Sequence, residues 1–218
     1  MRLRLTTCTK VVAALAVAVV AVMAAGPAHA SNMGFKLNKV LTGVGAFPVG
    51  RNEVALPFKN PYVTSIDICT QFALPAGTTV QQINANTGSA NSTTCPAGAP
   101  YNLLAKVGIR ITTPSTVNSI IVGSDIPGST VSLFPLGAPP RGNNFIPVLY
   151  HTTAVTAENL CSQFGMTGGT IQTFNAAAGS AGSETCGGVD TNVTLRLGES
   201  VLIRTNSVST ITATPAHF

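Results

Sequence analysis

The sequence contains an internal repeat, and this repeat constrains the fold more than any other feature. A segment that begins G-T-T-V-Q-Q-I-N-A-N at Gly77 returns from Gly168 as G-G-T-I-Q-T-F-N-A-A, and both copies continue through G-S-A to T-C. The motif C-T-Q-F at Cys69 returns as C-S-Q-F at Cys161, 92 residues later. Cysteines embedded in shared motifs do not recur by composition alone, so the chain holds two copies of one unit. A unit of about ninety residues has the size of a small domain.

The match extends beyond the cysteines in both directions. G-R-N-E-V-A-L-P-F from Gly50 lines up with G-N-N-F-I-P-V-L-Y from Gly142. N-L-L-A-K-V-G from Asn102 lines up with N-V-T-L-R-L-G from Asn192. The repeat therefore covers most of the chain and predicts two domains of the same fold.

Four cysteines follow residue 30 and fall at matching positions in the two copies: Cys69, Cys95, Cys161 and Cys186. An even number in an exported chain predicts two disulfides. Pairing within each copy would close two loops of about 25 residues, each adding roughly 3 kcal/mol on the chain-entropy account. We expect this pairing because it lets each copy close independently, and symmetry leaves the other two connectivities open. No C-x-x-C spacing occurs, so the signatures of zinc and thioredoxin-like sites are missing.

The first thirty residues have the pattern of a cleavable signal peptide. Arg2, Arg4 and Lys10 precede an uncharged apolar run, and G-P-A-H-A ends at Ala30, just before Ser31. This is the order of a basic region, an apolar region and an A-x-A cleavage site. The apolar run of about fifteen residues is shorter than the ~20 residues that a spanning helix needs. We predict cleavage between Ala30 and Ser31, no membrane span in the mature protein, and a location outside the cytoplasm: secreted, at the cell surface or in the periplasm.

The signal peptide and the repeat together predict how the chain is divided. The segment before the repeat alternates weakly between apolar and polar residues, so it could be a first strand of the fold, a strand that pairs with a neighbouring subunit, or a flexible arm. The junction between copies is placed at G-A-P-P-R, which is rich in turn residues. The predicted segments are a signal peptide (1–30), an N-terminal extension (31–48), a first repeat (49–135), a junction (136–141) and a second repeat (142–218).

Short strand patterns dominate both copies, which predicts an all-β fold. Runs of β-branched and apolar residues are bounded by Gly, Pro, Asn and Ser clusters, as in sandwiches and barrels. Thr64 and Thr156 each offer a helix N-cap ahead of apolar residues at helical spacing. We therefore expect two tandem β-sandwich or barrel-like repeats, each with one short helix and one disulfide. The predicted strands are 54–58, 80–83, 107–112, 119–122, 130–134, 145–149, 170–174, 193–197, 200–205 and 210–212.

Two stretches, residues 84–100 and 175–190, are rich in Gly, Ala, Ser, Thr and Asn. This composition predicts exposed loops held by the disulfides. Loops on a rigid scaffold are common contact surfaces, so we predict that they form a paired interaction surface. Its candidate residues are Asn84, Asn86, Asn91, Thr94, Asn175, Glu184 and Thr185.

The chain carries few charges of either sign. Charged residues make up 9% of the sequence, against roughly 25% in an ordinary soluble domain. Three of the twelve basic residues leave with the signal peptide, so nine basic against seven acidic residues give the mature chain a net charge of +2. Neither this charge nor the lack of Trp favours a nucleic-acid partner. A surface of small polar residues has little charge repulsion, so we expect a homo-oligomer or contacts with other surface proteins or glycans.

The sequence offers no recognisable chemical machinery. Motifs of the type G-x-S-x-G, H-E-x-x-H, P-loop, G-x-G-x-x-G and EF-hand loop are missing. Only His151 and His217 remain after cleavage, and none of the four glutamates has an acidic counterpart in the other copy. We therefore predict no catalytic, metal-binding or cofactor-binding residues and no enzymatic activity.

Both copies resemble a module that is common in secreted and surface proteins of bacteria. The resemblance is carried by G-R-N-E-V-A-L-P-F and G-N-N-F-I-P-V-L-Y, by a following T-x-x-x-L/I-C segment, and by L-R-L-G-E-S-V-L-I-R. In the module, a G-W-N-x-I-S-L-P-like strand is followed by a short helix and a late L-x-P-G-x-G-Y-x-V-like strand. This chain lacks the tryptophans and the Gly-Tyr. The resemblance implies a structural or adhesive part of a surface protein.

Three functional hypotheses follow from the sequence. The first is a secreted, non-enzymatic structural or interaction protein that self-assembles into an extracellular filament, matrix or surface layer. The second is an extracellular binding or adhesion module for a glycan or a surface partner. The third is an enzyme with an unfamiliar site.

Overall fold

The computed structural model describes residues 34–44, 50–124, 126, 128–137, 142–148, 152–189 and 192–216. The predicted signal peptide and its cleavage site between Ala30 and Ser31 lie outside the described residues, as do His151 and His217.

The described residues form twelve strands and two short helices, which confirms the predicted mainly β fold. The strands are β1 (Phe35–Leu41), β2 (Arg51–Val54), β3 (Thr79–Asn84), β4 (Ser89–Thr94), β5 (Ile109–Thr112), β6 (Val117–Gly123), β7 (Val131–Leu133), β8 (Asn144–Pro147), β9 (Thr170–Asn175), β10 (Ser180–Thr185), β11 (Ser200–Arg204) and β12 (Ile211–Ala213). The helices are α1 (Ser65–Gln71) and α2 (Ala157–Gln163).

Each copy combines a four-stranded antiparallel sheet, a two-stranded sheet and a helix. The four-stranded sheets have the orders β2-β5-β3-β4 and β8-β11-β9-β10, and we call them the first and the second sheet. The two-stranded sheets pair β1 with β6 and β7 with β12. Each copy buries its own hydrophobic core between these layers. Core residues of the first copy include Leu41, Val54, Ile68, Phe72, Val80, Ile111 and Ile121, and those of the second include Leu133, Ile146, Leu160, Phe164, Ile171, Val201 and Ile203.

Strand pairing groups the residues differently from the boundaries drawn on the sequence. Strand β1 comes from the N-terminal extension and pairs with β6 over its whole length, so the extension supplies a first strand of the fold. Strand β7, within the range assigned to the first repeat, pairs with β12 near the end of the chain. Leu41 and Leu133, 92 residues apart, end these two strands and are fully buried. By pairing, the copies run over residues 35–123 and 131–213.

The two stretches predicted as loops are largely hairpins, and that part of the prediction is wrong. Strand β4 pairs with β3 in a six-residue antiparallel ladder, and β10 pairs with β9 in the same way. Their Ser, Thr, Ala and Asn side chains need no apolar partner, because both strands lie at a sheet edge, with five of six residues exposed in β4 and three of six in β10. An exposed edge strand needs no alternation of apolar and polar residues, so its pattern resembles a loop.

The predicted strand 193–197 is also wrong. This segment crosses the start of α2: Leu195 N donates to Val155 O at 3.0 Å, and Thr194 makes a single bridge to Thr156. Leu195 is buried, and Val193 packs against the core of the second copy. The apolar residues that suggested a strand therefore contribute to the core although the segment is irregular.

Both helices begin at the predicted residues. Thr64 Oγ1 accepts from Asp67 N, and Asp67 Oδ2 accepts from Thr64 N at 2.7 Å, which forms a capping box. These hydrogen bonds from Thr64 and Val63 lower the pKa of Asp67 below its usual value. Thr156 caps α2 with its side chain in the same way.

The disulfides join Cys69 to Cys95 and Cys161 to Cys186, one in each copy, with the same Cα–Cα distance of 5.5 Å. Each connects a helix to the residue directly after β4 or β10. The end of each outer strand is therefore fixed covalently to the helix of its own copy.

Candidate interaction surface

The two copies contact each other through reciprocal hydrogen bonds. Gly50 N of the first copy donates to Ala176 O of the second at 3.0 Å, and Gly142 N of the second donates to Ala85 O of the first at 2.9 Å. Gly50 and Gly142 are equivalent residues, and so are Ala85 and Ala176 in the aligned repeats. Contacts in which i meets j′ and i′ meets j define an isologous interface, here formed within one chain.

The β-turns of the two hairpins present these alanines. Asn84 Oδ1 accepts from the backbone N–H groups of Asn86 and Thr87 at 3.0 and 3.3 Å. Asn175 Oδ1 accepts from Ala177 and Ala178 at 3.2 and 3.1 Å. An Asx side chain that satisfies the turn in this way fixes its shape. Each hairpin turn is therefore preformed where it meets the other copy.

A buried carboxylate lies near the contact between the two sheets. Glu53 Oε1 accepts from Arg51 Nε at 2.6 Å and from Arg110 Nε at 2.8 Å, and the Glu53 side chain is 1% exposed. Its Oε2 is buried without a hydrogen-bond partner among the described residues. Arg110 also donates to Gln81 Oε1 at 3.1 Å. These bonds fix both guanidinium groups in position.

Aromatic rings of the second copy cover the two arginines. The Arg51 guanidinium carbon lies 3.9 Å from the ring centroid of Phe174, and that of Arg110 lies 5.3 Å from the centroid of Phe145. Burial lowers the pKa of Arg51, and the charge of Glu53 opposes this shift. The contact therefore sets two arginines of the first copy against two aromatic rings of the second, and cation–π attraction joins them.

A groove of about 320 Å³ lies between the copies. Its walls are formed by the end of β3, the segment before β5, strand β7 and strand β8. Lys106 Nζ reaches across the groove and donates to Thr130 O at 2.8 Å. Lys106 therefore links the two copies. Among the described residues that line the groove, it is the only one with an ionisable side chain.

The two outer strands form the most accessible part of the sheets. In β4, residues 89–92 and Thr94 are exposed, and in β10, residues 180, 181 and 183 are exposed. Among the described residues, no backbone hydrogen bond joins residues 89–92 or 180–183 to a segment outside their own hairpin. Within the described part of the chain, these two strands therefore have an unpaired outer edge.

The predicted interaction residues divide into three groups. Asn86, Asn91 and Thr94 are exposed, on the first hairpin's turn and on β4. Thr185 is half-buried at the end of β10, while Asn84 and Asn175 are half-buried and hold the turns. The placement of Glu184 in an exposed contact loop is wrong: it is 2% exposed, and its Oε2 accepts from Val193 N at 3.2 Å. A buried carboxylate needs a hydrogen-bond donor, and Val193 N supplies one. This bond also fixes the segment that crosses the start of α2.

The sequence did not predict which residues form the contact between the two copies. Gly50 and Gly142 have positive φ angles of 84° and 79°, and a Cβ on either would lie 2.7 Å from backbone atoms of the adjacent segment. Both glycines are the first residues of aligned motifs in the repeat. Their matching positions were the one sequence feature that could have indicated a shared structural role. The partners Ala85 and Ala176 carry no comparable sequence signal.

The described residues contain no group of three or more His, Cys, Asp or Glu side chains placed to hold a metal ion. Among them, neither helix has the length and apolar character needed to span a bilayer. The two disulfides fit an oxidising compartment.

Comparison with known proteins gave no match to a family model, to a curated protein or to a solved structure. The resemblance to bacterial surface modules stays a prediction from sequence motifs.

Proposed function

We propose that this protein is a secreted structural subunit that assembles with further copies of itself outside the cytoplasm. The proposal is carried by one observation: two disulfide-stapled copies pack through reciprocal contacts at their hairpin turns, and each copy leaves the outer strand of its four-stranded sheet unpaired among the described residues. A subunit with two equivalent outward surfaces can hold two neighbours, and a unit that holds two neighbours forms an open chain or a closed ring.

The composition of the outward surface supports this role. Strands β4 and β10 expose Ser, Thr, Ala and Asn and no charged side chain. Nothing of like charge therefore opposes the approach of a second molecule along these strands. The stapled framework also supports it, since rigid surfaces lose less conformational entropy on association.

Matched apolar residues on the surface point the same way. Val63 and Val155, equivalent positions of the two copies, are 66% and 63% exposed. Val44 and Leu136, again equivalent, are 51% and 56% exposed. Single exposed apolar residues need no explanation, but retention of the same exposed positions in both copies supports contacts with a neighbour.

The oligomeric state of the mature protein tests the proposal. The chain beginning at Ser31, purified with both disulfides intact, is measured by size-exclusion chromatography with light scattering from micromolar to millimolar concentration, and by negative-stain electron microscopy. We expect a mass that grows with concentration and visible filaments or sheets. A mass of one chain at every concentration would contradict the proposal.

A further inference from the structure

The structure contains four edges in its two large sheets, and two of them are already closed. Strand β2 continues into contact with the second copy, where Val54 bridges Glu199 and Ala55 N donates to Gly198 O at 3.0 Å. Strand β8 is contacted by the first copy, because Phe145 O accepts from Gly108 N at 2.8 Å. The inner edges are therefore used within the molecule, and β4 and β10 are the outer ones.

The outer strands lack most of the devices by which proteins protect an edge. Natural edge strands are blunted by lysine, by proline, by a bulge, by an inward-pointing charge or by a covering segment. Strand β4 has the sequence S-A-N-S-T-T and β10 has S-A-G-S-E-T, without Lys, Arg or Pro. Both ladders run through six consecutive pairs without a bulge. The single charge, Glu184, points inward and is buried, so β10 carries one protective device, whereas β4 has no Lys, Pro, bulge or inward charge.

The same strands are held ready for pairing. Cys95 and Cys186 directly follow β4 and β10, and their disulfides tie the strand ends to α1 and α2. Asn84 and Asn175 fix the turns at the opposite ends of the hairpins. A strand held at both ends loses little freedom when a second strand is added beside it.

We propose that β4 and β10 are the polymerising edges, and that each pairs by main-chain hydrogen bonds with an outer strand of a second copy of this chain. This inference rests on the proposed function and names the surface through which it acts. The favoured occupant is a second copy because β4 and β10 resemble each other in sequence, so each edge meets a strand whose exposed side chains are small and uncharged. Strand addition of this kind obtains its affinity from backbone groups and tolerates small polar side chains.

The experiment places one lysine on each edge. Ser92 and Ser183 are equivalent, exposed residues of β4 and β10, so Ser92→Lys and Ser183→Lys should leave the fold intact. Ala90→Lys and Ala181→Lys, on the same strands, are a second independent pair. Asn38→Lys on exposed β1 adds the same charge away from both edges and is the matched control. Far-ultraviolet circular dichroism and the thermal midpoint establish that each variant is folded.

The expected result has two levels. The double variant Ser92→Lys/Ser183→Lys requires a concentration higher by roughly tenfold or more for assembly, or stays a monomer, while Asn38→Lys assembles like the wild type. A variant with one lysine keeps one open edge, so each molecule can hold only one neighbour and no long chain forms. If like edges pair, each single variant forms dimers alone. If β4 pairs with β10, dimers form only when the two single variants are mixed.

The outcomes separate this inference from the proposed function. A wild-type chain that stays monomeric overturns the proposed function. A wild-type chain that assembles, together with folded double variants that assemble at the same concentration, overturns the assignment to β4 and β10 and leaves the proposed function standing.

Discussion

Asn52 and Asn144 lie 92 residues apart in the chain, and their side-chain amides make the same four hydrogen bonds in the two copies. Asn52 Nδ2 donates to Thr42 O, Gly50 O and Ile111 O at 3.0, 2.9 and 3.1 Å, and its Oδ1 accepts from Thr42 N at 2.8 Å. Asn144 makes the equivalent bonds with the residues 92 positions later. Both are almost fully buried. One amide thus binds backbone groups of three segments: the residue after β1 or β7, the glycine that precedes β2 or β8, and a residue of β5 or β11.

Replacing either asparagine should unfold its copy more easily. Asn52→Ala and Asn144→Ala each leave several buried backbone groups without a partner, so each should lower the free energy of unfolding by about 3 kcal/mol. Urea denaturation followed by circular dichroism measures the loss. Asn38→Ala, at an exposed position, is the control and should change stability by less than about 0.5 kcal/mol. Equal losses in control and test variants would contradict this role.

Gly50 lies in a crowded part of the backbone, and Gly77 is its matched control. Both glycines have a φ angle of 84°, but a Cβ at Gly50 would lie 2.7 Å from Val44 Cα, whereas nothing lies within 4 Å at Gly77. Gly77→Ala should cost about 1 kcal/mol for the left-handed backbone alone. Gly50→Ala should cost about 3 kcal/mol, because the adjacent segment must also move. Thermal unfolding of both variants gives the comparison, and similar losses would show that the crowding at Gly50 is unimportant.

Glu53 provides the charge that holds two arginines at the contact. Glu53→Gln keeps the shape of the side chain but leaves Arg51 and Arg110 without a counter-charge, so we expect a loss of about 2–4 kcal/mol in the free energy of unfolding. Glu199→Gln removes the carboxylate that pairs with Lys39, and because it leaves one cation rather than two without a counter-charge, the loss should be smaller. Urea denaturation of both variants measures the two losses. A Glu53→Gln loss no larger than that of Glu199→Gln would refute the expected difference.

The capping box of α1 makes stability depend on pH. Hydrogen bonds from Thr64 and Val63 lower the pKa of Asp67 in the folded protein. The carboxylate therefore stabilises the fold above its unfolded pKa of about 3.9, and this contribution is lost as pH falls through the lower folded value. Asp67→Asn should cost about 1 kcal/mol at pH 7 and nothing at the lowest pH.

The second copy supplies the matched test. Asn159 occupies the position of Asp67 in α2, where Thr156 Oγ1 accepts from its backbone N–H at 3.3 Å. Asn159→Asp should increase the free energy of unfolding at pH 7 and lose that gain on acidification, as Asp67 does. Guanidinium chloride titrations from pH 2 to pH 7 measure both. A loss for Asp67→Asn that stays constant over this range would contradict the assignment.

Much of the fold could be predicted because the repeat supplies the same signal twice. The helix starts at Thr64 and Thr156 were predicted correctly, since a capping residue before apolar residues at helical spacing has few other solutions. The two disulfides were expected from the paired cysteines. The central strands of the sheets also carried a clear signal, because they contain buried β-branched residues such as Ile111 and Ile203. The strand predicted at 54–58 was misplaced, since β2 runs over Arg51–Val54.

The outer strands could not be predicted by the same means. Ser92 and Ser183 lie in strands that expose at least half of their residues, so no alternation of apolar and polar residues marks them. Strand formation there depends on hydrogen bonding to β3 and β9, a tertiary effect that local composition does not carry. The contact between copies was hidden for a similar reason: the carbonyl groups of Ala85 and Ala176 make it, and any residue type has a carbonyl.

The central contact also shows what joining the copies in one chain allows. A homodimer with this packing would carry identical residues on both sides of its axis, so position 53 and its equivalent, 145, would have to be the same. Here they are Glu53 and Phe145, and Arg51 stacks on Phe174 while the equivalent residues are Asn143 and Ile83. Covalent fusion has removed the requirement for self-complementarity, and the halves have diverged. Along the line that joins the two copies, the molecule therefore has two distinguishable ends, whereas the two ends of a twofold dimer would be identical.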